Sequence, residues 1–147
     1  MMLTQACMMN RRRRMNGFTL MELMIALVVL AIIVGIAVPS YSSYMVDARR
    51  SDAIAFLMEL AGEQQRHFSE YNEYAGSLKD LGYPNDSTTS PEGHYSVSVS
   101  DASSNLRYVL TATPVSDGKQ AGDSECKAFV ISSTGAKSNT GTNTDCW

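Results

Sequence analysis

Three kinds of residue in this chain could do chemistry: a cysteine pair, a group of loop carboxylates, and one carboxylate set in an apolar run. Cys126 and Cys146 lie near the C-terminal end, and Cys7 lies far from both at the start. In an exported domain such a pair oxidises to a disulfide, with two free thiols as the competing outcome. A zinc site is disfavoured, because neither His67 nor His94 stands at ligand spacing from the pair. Both histidines read as plain surface or helix residues. Asp117, Asp123 and Glu125 could ligate calcium, although a solvated acidic loop is the simpler reading. Glu22 is a different case. A carboxylate at mid-bilayer depth costs about 2.5–3.5 kcal/mol, so its place in an apolar helix needs either a partner or an interfacial position. No Ser-His-Asp or Cys-His arrangement and no glycine-rich phosphate loop stands out, so neither catalysis nor a cofactor or metal is expected.

The elements that must carry these residues follow from hydropathy and charge. Residues 18–38, FTLMELMIALVVLAIIVGIAV, hold Glu22 as their one charge. About 20 apolar residues suffice for a helix to cross a bilayer, so this segment reads as a span. Ahead of it stand Arg11, Arg12, Arg13 and Arg14, in a stretch without acids. The whole chain is formally −3, so everything after residue 17 is strongly acidic. Arginines beside a span hold that end in the cytoplasm, which sends the C-terminal domain outward. With 147 residues, the chain has room for one modest domain there.

Ser40 to Ala61 contains neither glycine nor proline and places Ile54, Leu57, Met58 and Ala61, then Phe68, at helical spacing. The hydrophobic helix over 18–38 is therefore expected to continue as an amphipathic one over 39–71. Gly35 and Pro39 mark a bend or loosening between the halves. Residues 72–93 are rich in turn formers, with one short helical turn expected at Leu78 to Leu81. Strands are expected at Tyr95 to Val99, Leu106 to Thr113 and Lys127 to Ser132. The tail from Ser133 to Trp147 is Thr, Asn, Gly and Ser, which by itself suggests disorder. A Cys126–Cys146 bond would close it into a loop of about 20 residues, worth roughly 3 kcal/mol, and would pin Trp147 near the sheet. The class is α+β: a helical spine with a small antiparallel sheet on its C-terminal half. Residues 72–147 form the connection, sheet and disulfide-closed region.

The string Gly17-Phe18-Thr19-Leu20-Met21-Glu22-Leu23-Met24, between the arginines and the apolar run, resembles the type IV prepilin processing motif. The chain is similar to type IVa pilins over this leader and helix. More loosely, GDSEC, the TGAK turn and the terminal CW look like minor pilins of the PilE kind. The resemblance implies the type IV pilin fold. It also implies that a membrane-embedded aspartyl prepilin peptidase cuts after Gly17, so that residues 1–17 are a leader, and then N-methylates Phe18. A residue without a Cβ suits close approach of catalytic groups. A secretory signal with cleavage near Gly35-Ile36-Ala37 is the competing reading. The apolar run is too long for that, and it carries a charge near its start. Met8, Met9 and Met15 offer alternative starts, and initiation at either of the first two would remove Cys7 while keeping the arginines.

By the same resemblance, Glu22 of one subunit pairs with the Phe18 amine of its neighbour in a filament, while a polar residue near the interface is the plainer alternative. The Gly35–Pro39 region loosens in related filaments, where some relatives have glycine at the position of Ala31. The implied partners are other pilin subunits, the prepilin peptidase, the inner-membrane assembly platform and, before assembly, the membrane of a Gram-negative bacterium. The resulting pilus would serve adhesion, twitching motility or DNA uptake. Two rival functions share the helix. A type II secretion pseudopilin is one, although major pseudopilins mostly lack the C-terminal cysteine pair. A DNA-binding uptake pilin is the other. It is disfavoured because Arg49, Arg50, Arg66, Lys79, Arg107, Lys119, Lys127 and Lys137 are few against the acidic balance.

Overall fold

The computed structural model describes residues 17–99 and 105–147. The arginines, Cys7 and the alternative start methionines lie outside the described residues. Helix α1 runs from Leu20 to Tyr71, 52 residues without a break. Thr19 caps it: its Oγ1 accepts the Glu22 N–H at 3.2 Å, and its carbonyl accepts the Leu23 N–H at 3.2 Å. A threonine hydroxyl suits this position because the first helical N–H groups have no intrahelical acceptor. At the far end Asn72 adopts φ 59° and gives its N–H to the Phe68 carbonyl at 2.8 Å, a left-handed cap that asparagine tolerates.

Contacts divide the chain after Pro39 into two units. The first contains the apolar part of α1, and its most hydropathic window has no buried residue. The second, from Ser40 onward, has its own core. There α1 buries Ala53, Phe56, Leu57, Leu60 and Gln64. The expected stripe through Ile54, Leu57, Met58 and Ala61 is thus rotated. Ile54 and Ala61 lie at its flank and Met58 is exposed. Both sets satisfy the helical period, and the observed phase brings small Ala53 against the sheet side and lets the large Phe56 ring be buried.

That side is a five-stranded antiparallel meander: β1 (Ser87–Thr89), β2 (Tyr95–Val99), β3 (Val109–Pro114), β4 (Ala128–Ser132) and β5 (Lys137–Thr140), in the order β1-β2-β3-β4-β5. β2 has the expected bounds, while β3 begins at Val109 rather than Leu106, which is exposed. Alternation sets the inward face: Tyr95, Val97, Leu110, Ala112 and Phe129 are wholly buried with Leu57, Leu60 and Leu78. β1 and β5 are corrections to the reading of their segments as irregular and as a disorder-like tail. Ser87, Thr88 and Thr89 pair with Ser98, Val97 and Ser96, and Lys137 to Thr140 pair with Ile131 to Ala128. Such polar edge strands are held by backbone ladders and contribute little to the core. Gly135, at φ 78°, turns β4 into β5, and the Ser132 N–H meets the Ala136 carbonyl at 3.0 Å. The expected turn near Leu78 is present, with Leu81 and Gly82 N–H groups on the Leu78 and Lys79 carbonyls.

Two sets of hydrogen bonds hold the irregular parts. The buried Gln64 amide donates to the Ala75 carbonyl at 3.0 Å and accepts the Ala75 N–H at 2.9 Å, so one side chain replaces a peptide partner for the connection after α1. Further on, Thr142 and Asn143 N–H groups bond the Ser124 and Glu125 carbonyls, each at 3.1 Å. Gly141 makes that approach possible. Its φ is 142°, and a Cβ there would overlap the Glu125 carbonyl. Gly141→Ala should therefore destabilise the oxidised chain by roughly 1–3 kcal/mol, read as a lower denaturant midpoint in detergent. Trp147, the one tryptophan, reports the transition.

Candidate functional site

Two regions carry the residues singled out above. On the first unit, Phe18 is 83% exposed, Gly17 and Glu22 are exposed, and every large apolar residue through Val38 stays open. Among the described residues the Glu22 carboxylate has no partner; only its backbone N–H is used, by Thr19. Single exposed apolar residues are ordinary, but a contiguous apolar surface of this length requires lipid or protein against it. Gly35 and Pro39 are linked by chemistry as well as spacing. A proline has no N–H to give to the carbonyl four residues back, which here is that of Gly35. The helix nevertheless continues through both.

The second region is a charge clasp on the other unit, and nothing in the sequence pattern announced it. Arg50, on α1, meets Asp123, in the β3–β4 connection, through two bonds: Nε to Oδ2 at 2.7 Å and Nη2 to Oδ1 at 2.8 Å. Asp123 also accepts the Gln120 amide at 2.8 Å and the backbone N–H groups of Glu125 and Cys126, each at 3.1 Å. Its side chain is 4% exposed. Glu125 and Asp47 are exposed and meet the same guanidinium at 3.3 and 3.0 Å. Burial pushes the Asp123 carboxyl up, but Arg50 and the two backbone N–H groups reverse that and leave it below the ordinary carboxylate value. The same bonds hold the Arg50 guanidinium above its usual value.

This arrangement corrects the solvated-loop reading for Asp123, while Asp117 and Glu125 are exposed as that reading has them. Asp123 is neither solvated nor arranged for calcium, since five donors surround it, and no metal-holding cluster occurs among the described residues. His67 gives Nδ1 to the Glu73 carbonyl at 2.9 Å and stacks on Tyr71, and His94 lies 4.0 Å from Glu92. Both are structural contacts. Cys126 and Cys146 are bonded, with their Cα atoms 5.9 Å apart, next to the residues that ligate Asp123. Trp147 then lies edge-on to buried Phe129, donates Nε1 to the Ser138 carbonyl at 2.7 Å, and carries the Lys137 ammonium 5.0 Å above its ring. Arg50 and Asp123 stand 73 residues apart, so only the fold brings them together.

Known proteins are similar to the chain over the segments that hold both regions. A family model described as "Type IV minor pilin ComP, DNA uptake sequence receptor" matches residues 39–130, and one described as "Prokaryotic N-terminal methylation motif" matches residues 12–38. The chain is 33% identical over 70 residues to the type IV major pilin protein PilA of Myxococcus xanthus (strain DK1622), covering 48% of this chain but only 32% of that protein. It is 33% identical over 107 residues to fimbrial protein EcpC of Eikenella corrodens, covering 73% of this chain and 67% of that one. A type IV pilin structure from Shewanella oneidensis superposes with a TM-score of 0.52 at 24% identity, over 69% of this chain and 97% of the other. The last is a likeness of fold.

The clasp and the disulfide each give a measurable outcome. Removing the cation in Arg50→Ala strands a buried carboxylate and should cost roughly 3 kcal/mol at neutral pH. A lowered native pKa means that the Asp123 contribution is present above the unfolded value of 3.8 and is lost as pH falls below it. Asp123→Asn should therefore weaken the chain at pH 7 and flatten its stability profile below pH 4, as read by denaturant titration. Changing Cys126→Ser together with Cys146→Ser should lower the unfolding free energy by about 2–5 kcal/mol and open the tail to protease.

Proposed function

The chain belongs to the type IV pilins, in the family of the ComP-type minor pilins, and we propose that it works as a minor subunit packed into the pilus by its N-terminal helix. The observation that carries this reading is the exposed apolar helix surface over residues 18–38, interrupted by Glu22 alone. Alone, such a surface has to stay in a bilayer; in a filament, neighbouring helices cover it. The leader ends at Gly17, where the prepilin peptidase cuts on the cytoplasmic side and then methylates the Phe18 amine. Methylation keeps the positive charge. In the filament core that amine pairs with Glu22 of the next subunit, in a medium of low dielectric where an unpaired carboxylate is costly. The Gly35–Pro39 segment, short of one helical hydrogen bond, is where the packed helix loosens.

Before assembly the subunit sits in the inner membrane with its arginines in the cytoplasm. The assembly platform then lifts it into an extracellular filament of a Gram-negative cell. A secretion pseudopilin would use the same helix, but the family match and the C-terminal disulfide favour the pilus. One specific observation supports a second reading, DNA uptake: the family model over residues 39–130 is that of a DNA uptake sequence receptor. Arg50, Lys79 and Arg66 are paired with Asp123, Asp86 and Glu63, and Lys137 lies over the Trp147 ring, which leaves Arg107, Lys119 and Lys127 exposed for phosphate contacts.

Mass spectrometry of sheared pili should find a mature chain beginning at N-methylated Phe18; a start at Val38 would refute peptidase processing. Glu22→Ala should be cleaved and inserted normally, since it removes a charge from the span, yet largely fail to enter filaments. Normal incorporation of that variant would overturn the pairing. For the second reading, duplex DNA should be retarded by the purified chain at low salt, with affinity falling by a log–log slope of about 0.9 for each phosphate contacted. No retardation at low salt would remove DNA binding while leaving the filament role intact.

A further inference from the structure

Between Val38, where the apolar run ends, and Asp47, where charge resumes, α1 carries two aromatic residues, Tyr41 and Tyr44. They are 66% and 69% exposed. Burial on this unit begins only with Met45 and Val46, which are partly covered. Two residues three positions apart share one helix face, so the two phenol rings form a single exposed aromatic patch. Among the described residues the core's aromatic contacts do not use them; these are made by Phe56, Phe68, Tyr74, Tyr83, Tyr95, Tyr108, Phe129 and Trp147.

Their composition and position fit a lipid interface. A phenol has an apolar ring and a polar tip, and tyrosine collects where a membrane span meets water. Here the pair follows the span directly and precedes the first charged residue, on the side opposite the arginines. We propose that Tyr41 and Tyr44 anchor the unassembled subunit in the headgroup layer of the outer leaflet, the rings at the glycerol level and the hydroxyls toward water. The inference rests on the membrane-inserted precursor assigned above. Its consequence is that the anchor, and not only the length of the apolar run, sets the depth at which the span waits before it is lifted into a filament.

The test uses the full chain in vesicles of phosphatidylethanolamine and phosphatidylglycerol at a low protein-to-lipid ratio. Trp147→Phe removes the native indole, and Tyr41→Trp or Tyr44→Trp places one at the patch. Lipids brominated at shallow or deep acyl positions serve as quenchers. Blue-shifted emission, quenched more by shallow than by deep bromines, is expected at both positions. Tyr71→Trp, at the distal end of α1 and equally exposed, should be quenched by neither. An unquenched, red emission at the patch would overturn the anchor, as would stronger quenching by deep bromines. A blue shift that arises only when the protein-to-lipid ratio is raised would show that a second copy covers the rings, and would also overturn it. Insertion is scored separately by resistance to alkaline carbonate. Failure to insert would sink the precursor reading itself, whereas an inserted chain with an unquenched indole would sink the anchor alone.

Discussion

A single helix in this protein has to satisfy two surroundings with one run of backbone. Over residues 18–38 the apolar surface faces outward on every side, which suits lipid or neighbouring helices and excludes water. From Ala53 to Gln64 only one stripe is apolar, and the sheet packs on it. Both halves meet the same backbone requirement, because a helix satisfies its own N–H and C=O groups in hydrocarbon and in a protein core alike. The chemistry of each half is then decided by side chains alone. The single charge in the first half stands out for that reason, and so does the Arg50–Asp123 clasp in the second.

The sheet supplies only part of what orders the domain after Pro39. Its inner face buries Tyr95, Val97, Leu110 and Phe129, yet two of its strands are polar edges and long stretches around it contain few apolar groups. Such segments cannot offset their ordering entropy by burial. Point attachments take that role. Gln64 holds the connection after α1, Arg50 holds the β3–β4 connection through Asp123, and the tail is held by Gly141, the disulfide and Trp147. Three of these converge on Asp123 to Cys126, so the β3–β4 connection is tied both to the helix and to the tail.

The Arg50–Asp123 pair also illustrates when a buried ion pair holds. Desolvation of a carboxylate is expensive, and attraction to one cation often fails to compensate. Here the carboxylate accepts two guanidinium bonds, one amide and two backbone N–H groups, so both oxygens are fully used. The family is one of structural subunits, and the chemistry on display is the placement of charge and the closing of covalent and polar ties.

The sequence by itself determined whatever is periodic or locally dense. The apolar span, the charge step at the arginines, the methylation-motif string around Gly17 and Glu22, and the strict alternation of Tyr95 to Val99 are each complete within a few residues. No distant segment was needed to read them. The fold decided the rest. Which helix stripe faces the core was ambiguous, because sets beginning at Ala53 and at Ile54 fit one period equally, and only contact with the sheet selects between them. The edge strands were invisible because Ser, Thr and Asn carry no hydropathic pattern, and their strand form comes from the neighbour's backbone. Asp123 looked like a solvated loop acid until the chain brought Arg50 to it across 73 residues. A side chain's own neighbours in sequence cannot disclose a partner that only tertiary packing delivers.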